Sequence, residues 1–271
     1  MEEAQPSVAL LVRKTRASSS EDARIYRQKG HNDAKEFALA IGLREDYQNN
    51  PTAKKDVIDP SGDAHSVKSG EKKWQIFLYG KGRFTSDEAF TVMNGIGALC
   101  LDCINAFPDS FEAYQKDKTT AKERLRIPMV ALKEKLQDKT RLRAFLNKSI
   151  FNGGEVNYLT IKDKGLFHVF HRDDILKAFC DNLEVCNSKK TTSGTFPEQK
   201  TLLRFEGVNL GEIEMRNDSA VHYQEIRFNM IKPRAMSLFF GKIPFIRDYS
   251  SRVKVYGQAG KTFGRWKKAK P

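Results

Sequence analysis

The stretch that most constrains the fold is residues 54–84, KKDVIDPSGDAHSVKSGEKKWQIFLYGKGRF. Asp56-Val57-Ile58-Asp59 reads as a short strand carrying two carboxylates. Pro60-Ser61-Gly62-Asp63 reads as a turn, because proline presets φ and glycine tolerates positive φ. Residues 64–69 read as the returning strand. Side chains alternate along a strand, so Ser66 and Lys68 share one face while His65 and Val67 take the other. Gly70 breaks the strand, and the apolar run at residues 74–79 follows. A hairpin of this kind brings acids, a hydroxyl and a lysine into one neighbourhood.

That neighbourhood suits metal-assisted phosphodiester hydrolysis. A hard Mg²⁺ ion takes oxygen ligands, typically one or two carboxylates with waters and substrate phosphate. A lysine beside it orients or deprotonates the attacking water and offsets charge on the phosphorus. Asp59 or Asp56 supplies the carboxylate, Ser66 a hydroxyl, and Lys68 the cation. An ordinary hairpin with turn-capping aspartates and a solvated lysine uses the same residue types.

The pattern resembles the signature of the PD-(D/E)XK nuclease superfamily, which includes type II restriction endonucleases and mismatch-repair nicking enzymes. That signature is an Asp, a variable gap, then Glu/Asp-x-Lys on the next strand. Asp59, six residues, then Ser66-Val67-Lys68 is similar to its short-gap form, and Asp56 gives a gap of nine. Ser66 stands where most members carry Glu or Asp; some restriction enzymes carry Ser-Val-Lys and place the acid elsewhere. Gln75-x-x-x-Tyr79 is similar to the Gln-x-x-x-Tyr helix that follows the lysine strand in some branches. The resemblance spans residues 30–90.

The resemblance implies an α/β (α+β) fold with a restriction-endonuclease-like core, a central mixed sheet flanked by helices. It implies Mg²⁺-dependent, sequence-specific cleavage of double-stranded DNA that leaves 5′-phosphates. Asp59, with Asp56 as alternate, holds metal in that reading, and Lys68 positions the water. Gln75 steadies the site or touches a backbone phosphate. Glu36, on a helix before the Asp strand, is the candidate for a further acid, weighed evenly against a solvated helix glutamate. A palindromic site favours a homodimer, because protein and DNA then share a two-fold axis. A restriction enzyme also implies a cognate DNA methyltransferase in the same system, without physical contact.

Charge agrees with a polyanionic partner. The 271 residues hold 47 Lys and Arg against 34 Asp and Glu, a net charge of +13. Nucleic acid is the default partner for such a balance. At 39% hydrophobic and 30% charged, the chain is globular and long enough for a sizeable core. It contains no run of 18 apolar residues, hence no expected membrane span. The N-terminus, MEEAQPSVALLVRKTR, does not read as a secretory signal, so a cytoplasmic protein is expected. Cys100-x-x-Cys103 lies in an apolar helical run, and Cys180 and Cys186 lack zinc-ribbon spacing, so buried free thiols are expected.

Along the chain, residues 8–12 form an apolar patch, and Ser18-Ser19-Ser20 can cap a following helix at 23–43. Ser86 with Asp87 and Glu88 reads as the start of a helix running to Ala106, bent at Gly95 and Gly97. Residues 118–149 read as basic amphipathic helix, split or kinked by Pro128, with one face burying leucines and the other, which includes Lys148, either a solvated face or one that tracks a phosphate backbone. From Glu155 the texture turns to strands. Lys162-Asp163-Lys164-Gly165 is a hairpin turn. His168 and His171 read as packed or DNA-facing side chains, and residues 173–180 as a short helix. Residues 189–199 read as a polar loop.

Residues 201–207, 211–216 and 222–228 read as further strands. On them Arg216, Asn217, Gln224 and Arg227 are base-contact candidates, since Arg pairs with guanine and Asn or Gln with adenine. Opposed charges on paired strands also simply stabilise a sheet. Residues 252–271 carry seven Lys or Arg with Tyr256, Phe263 and Trp266 interleaved, so Lys261 and Arg265 are candidate phosphate contacts beside stacking rings. The expected division is a nuclease core with basic helices at 1–150 and a strand-rich DNA-recognition region at 151–271, packed as one unit. The other readings are a non-catalytic nucleic-acid-binding protein and a structure-specific DNA repair nuclease.

Overall fold

The computed structural model describes residues 20–44, 54–91, 95–189 and 196–268. The patch at 8–12, Ser18, Ser19 and residues 190–195 of the polar loop lie outside them. In chain order the elements are α1 (Ser20–Ala40), β1 (Val57–Ile58), β2 (Ala64–Lys68), β3 (Lys73–Tyr79), α2 (Lys81–Ser86), α3 (Glu88–Thr91), α4 (Ile96–Asn105), α5 (Phe111–Lys116), α6 (Lys118–Gln137) and α7 (Lys139–Phe151). A 3-10 turn (Asn152–Gly154) leads to β4 (Tyr158–Asp163), β5 (Leu166–His171), α8 (Arg172–Asn182), β6 (Glu184–Asn187), β7 (Lys200–Phe205), β8 (Val208–Arg216), β9 (Glu225–Ile231), α9 (Lys232–Lys242), β10 (Phe245–Ser250), β11 (Val253–Tyr256) and α10 (Ala259–Thr262).

The fold is mixed α/β with two sheets. The first is ordered β1-β2-β4-β5-β11-β10, and the second β3-β9-β8-β7-β6. In the first sheet β2 runs parallel to β4 and β11 parallel to β5, while the other pairs are antiparallel. The second sheet is antiparallel throughout. Each sheet takes strands from both sides of residue 150, so the two halves expected from sequence interleave.

Local chemistry explains the hairpins. Lys164 and Gly165 both take positive φ (47° and 81°) between β4 and β5, as do Glu206 and Gly207 (50° and 71°) between β7 and β8. Two successive positive-φ residues match the twist of the flanking strands. The basic helices depart from expectation. Pro128 lies inside α6 without splitting it, and the break comes at Asp138, whose carboxylate caps α7 by accepting from Arg141 N at 2.9 Å. Proline already holds a helical φ, and its lost hydrogen bond is tolerated among the buried Leu125, Met129 and Leu132. The helix expected from Ser86 to Ala106 is instead α2, α3 and α4. Ser86 ends α2, its Oγ donating to Gly82 O at 2.8 Å, so it is not a cap. A Cβ on Gly97 would collide with Phe90 O, which is why α4 can pack there only through a glycine.

Two cores result. The larger contains Leu159, Ile161 and Phe170 of the first sheet, Leu203, Ile213 and Phe228 of the second, and the buried faces of α4, α6 and α7. α8 packs on β4 and β5 of the first sheet and α9 on β8 and β9 of the second, and the two helices touch each other. The smaller core lies on the opposite face of the first sheet, where Phe37 and Ile41 of α1 meet Tyr158, Phe167, Val255 and Phe263.

Residues 252–268 are therefore packed into the fold. β11 sits between β5 and β10, and Tyr256 and Phe263 are buried rather than free to stack on bases. Their alternation with lysines reads as a basic-aromatic tail only until β5 supplies a parallel partner. No helix among the described residues is long and apolar enough to cross a membrane.

Phe228 is fully buried between Phe77 and Phe145, with ring centroids at 5.9 and 5.5 Å. Phe228→Ala is expected to cost about 3–5 kcal/mol in urea denaturation. Ile127→Ala, at a side chain 78% exposed, is expected to stay within about 0.5 kcal/mol of wild type.

Candidate functional site

The hairpin between β1 and β2 forms in the expected place, with Val57 opposite His65 and Ile58 opposite Ala64. Its two aspartates go to opposite faces. Asp59 is buried, and its Oδ1 accepts from Ser61 N at 2.8 Å and Asp63 N at 3.1 Å, closing the turn. Its Oδ2 lies 3.4 Å from His65 Nε2, while His65 Nδ1 lies 2.9 Å from Thr160 Oγ1. Burial lowers the His65 pKa against the opposing pull of Asp59 and Asp63, which favours the neutral ring. Because a carboxylate only accepts, Nε2 carries the proton and Nδ1 accepts from the Thr160 hydroxyl. The ring also stacks on Tyr158 at 4.7 Å and meets Phe37 at 4.9 Å, beneath α1. This is a closed structural network.

Asp56 lies on the other face. Its Oδ2 accepts from Val67 N at 2.7 Å and from Ser66 Oγ at 3.4 Å. Ser66 and Lys68 point the same way from β2, toward the larger core. Asp56 and Lys68 are half-buried, whereas Ser66 is fully buried. Of the two acids, Asp56 and not Asp59 therefore shares a face with Ser66 and Lys68.

Lys54 joins them. Its ammonium donates to Ile76 O of β3 at 3.1 Å and to Ser149 O near the end of α7. Burial, followed by repulsion from Lys68, Lys148 and Arg83, lowers its pKa to about 7, while Asp56 pulls the other way. Lys148 and Arg83 each reach Asp87 Oδ2 at 3.0 Å. The site is thus a basic junction where β2, β3, α2 and α7 meet, with Asp56 at its edge. Lys54 and Arg83 had no functional reading in the sequence, and Lys148 had one only as one of the cations on a basic helix face that could track a phosphate backbone. Lys54 stood only at the edge of the hairpin stretch, and nothing local to α7 shows that Lys148 returns beside it.

The remaining candidates sit elsewhere. Glu36 pairs with Lys162 and Arg252, and Lys162 also takes Asp33 Oδ1 at 2.7 Å. That cluster lies on the α1 face of the first sheet, across the sheet from Lys68. Gln75 is in β3, not in a helix, and belongs to the second sheet, exposed and opposite Asn229. Trp74 and Ile76 are buried while Lys73 and Gln75 are exposed, a period of two that selects the strand.

Arg216 is held by Asp218, at 2.7 and 3.2 Å, and Arg227 by Glu214, at 2.7 and 2.6 Å. Gln224 donates to Phe107 O and Pro108 O at 3.3 and 2.8 Å. Asn217 is half-buried at the end of β8. Lys261 is exposed in α10, and its carbonyl accepts from Arg265 Nε at 2.5 Å. His168 is buried with Nδ1 2.9 Å from Tyr256 OH, and His171 caps α8 by accepting from Asp173 N at 3.2 Å. The four cysteines are free thiols; Cys100 and Cys103 are buried, and burial pushes Cys100 up to about 12.

Among the described residues, no group of three or more His, Cys, Asp or Glu side chains gathers into a ready-made ion cage. One carboxylate and one hydroxyl at Asp56 and Ser66 suit a hard cation that keeps several waters and takes further ligands from a substrate phosphate.

The Lys54 shift has a thermodynamic sign. Below about pH 7 the folded protein holds a buried ammonium, and between about 7 and 10.5 only the unfolded chain keeps that proton. Stability from this group therefore rises with pH across that window. Urea midpoints measured from pH 7 upward are expected to show wild type gaining stability relative to Lys54→Met, with no such gain relative to Lys177→Met, a change at an exposed side chain of α8. No protein-family model, curated protein or solved structure shows significant similarity to this chain.

Proposed function

We propose that this chain is a Mg²⁺-dependent, sequence-specific endonuclease of double-stranded DNA, of the type II restriction kind, built on a restriction-endonuclease-like core. The observation that carries the reading is the convergence of Asp56, Ser66 and Lys68 on one face, at a junction rich in cations. The +13 net charge supports a polyanionic substrate. A two-residue β1 paired to β2, with α1 packed behind, is compatible with the core that the sequence resemblance implies.

In this reading Asp56 would hold the ion, with Ser66 supporting it directly or through water. The metal, when bound, lowers the pKa of a water and offsets charge on the phosphorus. Val67 N fixes the Asp56 carboxylate, so its orientation is set before substrate arrives. Lys68 orients the attacking water and stabilises the phosphate oxygens as the P–O bond to the leaving 3′-oxygen breaks, leaving a 5′-phosphate. Asp59 serves the same chemistry indirectly, through the turn and His65. A homodimer on a palindromic site, and a cognate methyltransferase protecting host DNA, belong to the same proposal.

The test is digestion of supercoiled plasmid with Mg²⁺ and with EDTA. Wild type is expected to give discrete, metal-dependent fragments. Lys68→Ala is expected to lower the rate by about 10²–10⁴-fold. Asp56→Asn should abolish cleavage, whereas Asp59→Asn should mainly lower the melting temperature. DNA binding without cleavage by wild type overturns the enzyme reading and leaves a binding protein. Equal loss in Asp59→Asn at full folding moves the metal ligand to Asp59.

A further inference from the structure

Four cations gather near the packing of β3 with α2 and α7, with the carboxylates of Asp56 and Asp87 among them and the mutually paired Lys55 and Glu155 near Lys148. Lys148 Nζ and Arg83 Nη2 both sit 3.0 Å from one oxygen, Asp87 Oδ2. Lys54 anchors beside them on Ser149 O, the residue after Lys148, and lies within electrostatic range of Lys68, Lys148 and Arg83. Asp56 is the second carboxylate, and its Oδ2 is held by Val67 N. Four positive groups and two negative ones leave an excess of two positive charges when all are ionised. Such an excess among half-buried side chains is costly to keep, because like charges repel and desolvation weakens their hydration. An anion relieves it.

The cluster is graded from inside to out. Lys148 is 11% exposed at its side chain and Arg83 45%. Lys148 also lies over the Phe90 ring at 5.5 Å, and Arg83 over Tyr79 at 5.2 Å, so neither swings freely. Arg83 is therefore the more solvent-accessible of the two cations on Asp87 and Lys148 the more buried.

We propose that Lys54, Lys68, Lys148 and Arg83 form a single cradle for one backbone phosphate of double-stranded DNA, beside Asp56. This rests on the reading of the same junction as a DNA-cleaving site, and it adds which residues seat the strand. Lys54, Lys148 and Arg83 are positioning residues that hold the diester in front of Lys68.

The experiment measures affinity of the full chain for a labelled duplex in EDTA, over a range of salt concentrations. Wild type, Lys148→Met, Arg83→Met, the double variant and Lys177→Met are compared. Each phosphate contact contributes about 0.9 to the slope of log K against log salt on duplex DNA. Each single variant is expected to lose up to about that amount. The double variant should lose no more than about one contact in total, because both groups serve one phosphate. Lys177→Met should keep the wild-type slope. Unchanged slopes in both single variants overturn the cradle, and so do losses that add to about two contacts. Lys148→Arg, which keeps the charge, is expected to restore the slope and so separates the cradle from a folding defect.

Inorganic phosphate at matched ionic strength distinguishes a free anion from a strand. A rise in wild-type Tm absent in Lys148→Met supports the cradle through the free ion. Equal responses in the two proteins together with unchanged slopes overturn it. Because binding is read in EDTA, slope losses with no Mg²⁺-dependent cleavage keep the cradle and remove the nuclease reading. Cleavage with unchanged slopes does the reverse.

Discussion

The Asp59 carboxylate fixes the register on which everything else at the junction depends. It accepts from the backbone N–H groups of Ser61 and Asp63 and faces His65. Those bonds decide that Val57 stands opposite His65 and not opposite Ser66. A slip of one residue would turn each side chain of β2 to the other face. Lys68 would then point under α1, and His65 toward the larger core. The tie is strengthened from behind, where Ala64 N donates to Asn157 Oδ1 at 2.9 Å and Asn157 N to Ala64 O at 2.8 Å. An acid buried away from the junction thus determines which acid lies in it.

Much of this was legible in the sequence because it is local. Alternation along residues 64–68 gives the faces of β2, and the Pro-Ser-Gly-Asp turn gives the hairpin. The strands at 158–163, 166–171 and 201–216 follow from the same rule, and the amphipathic α6 and α7 from a period near 3.6. What was not legible depends on pairing at long range. The tail at 252–268 looks like interleaved aromatics and lysines, and only the parallel pairing of β11 with β5 turns Tyr256 inward. Gln75 and Tyr79 fit a helical spacing, yet β9 recruits the segment into the second sheet. Glu36 has the right place in the chain for a further acid, but α1 packs on the face where Lys162 and Arg252 wait for it. The choice between Asp56 and Asp59 also lay beyond the sequence, because both fit an Asp before a turn.

The second sheet shows what ordinary charge placement looks like in this chain. On its polar face Lys73 meets Glu212 at 3.0 Å, Lys200 meets Glu212 at 3.2 Å and also Glu214, and Arg227 meets Glu214. Lys200 and Arg227 each have an acid on a neighbouring strand, the pattern expected of cross-strand stabilisation, and Lys73 reaches across β9 to Glu212 of β8. Arg227 as a base-contact residue must exchange Glu214 for guanine, and Arg216 must release Asp218. Gln224 must release two carbonyls. Such exchanges are near neutral one at a time, since one hydrogen bond replaces another. They make these side chains candidates that bind DNA only by rearranging, whereas at the junction two cations, Lys148 and Arg83, share the one acid Asp87.

That contrast locates the conflict between folding and function. A fold selected for stability alone would pair Lys54 with an acid or replace it, since its ammonium is desolvated and surrounded by like charge. Instead its donors go to Ile76 O and Ser149 O, stitching the loop before β1 to β3 and α7. The same side chain therefore helps to assemble the junction and carries an electrostatic cost there. Local inconsistency of this kind concentrates where a protein meets its partner, and the surrounding core must offset it. The buried rings of Phe77, Phe90 and Phe145 beside the junction supply that support. On the proposal above, a phosphate entering the junction would offset the repulsion among Lys68, Lys148 and Arg83 and favour the protonated form of Lys54. Binding and stability are then coupled through one set of charges.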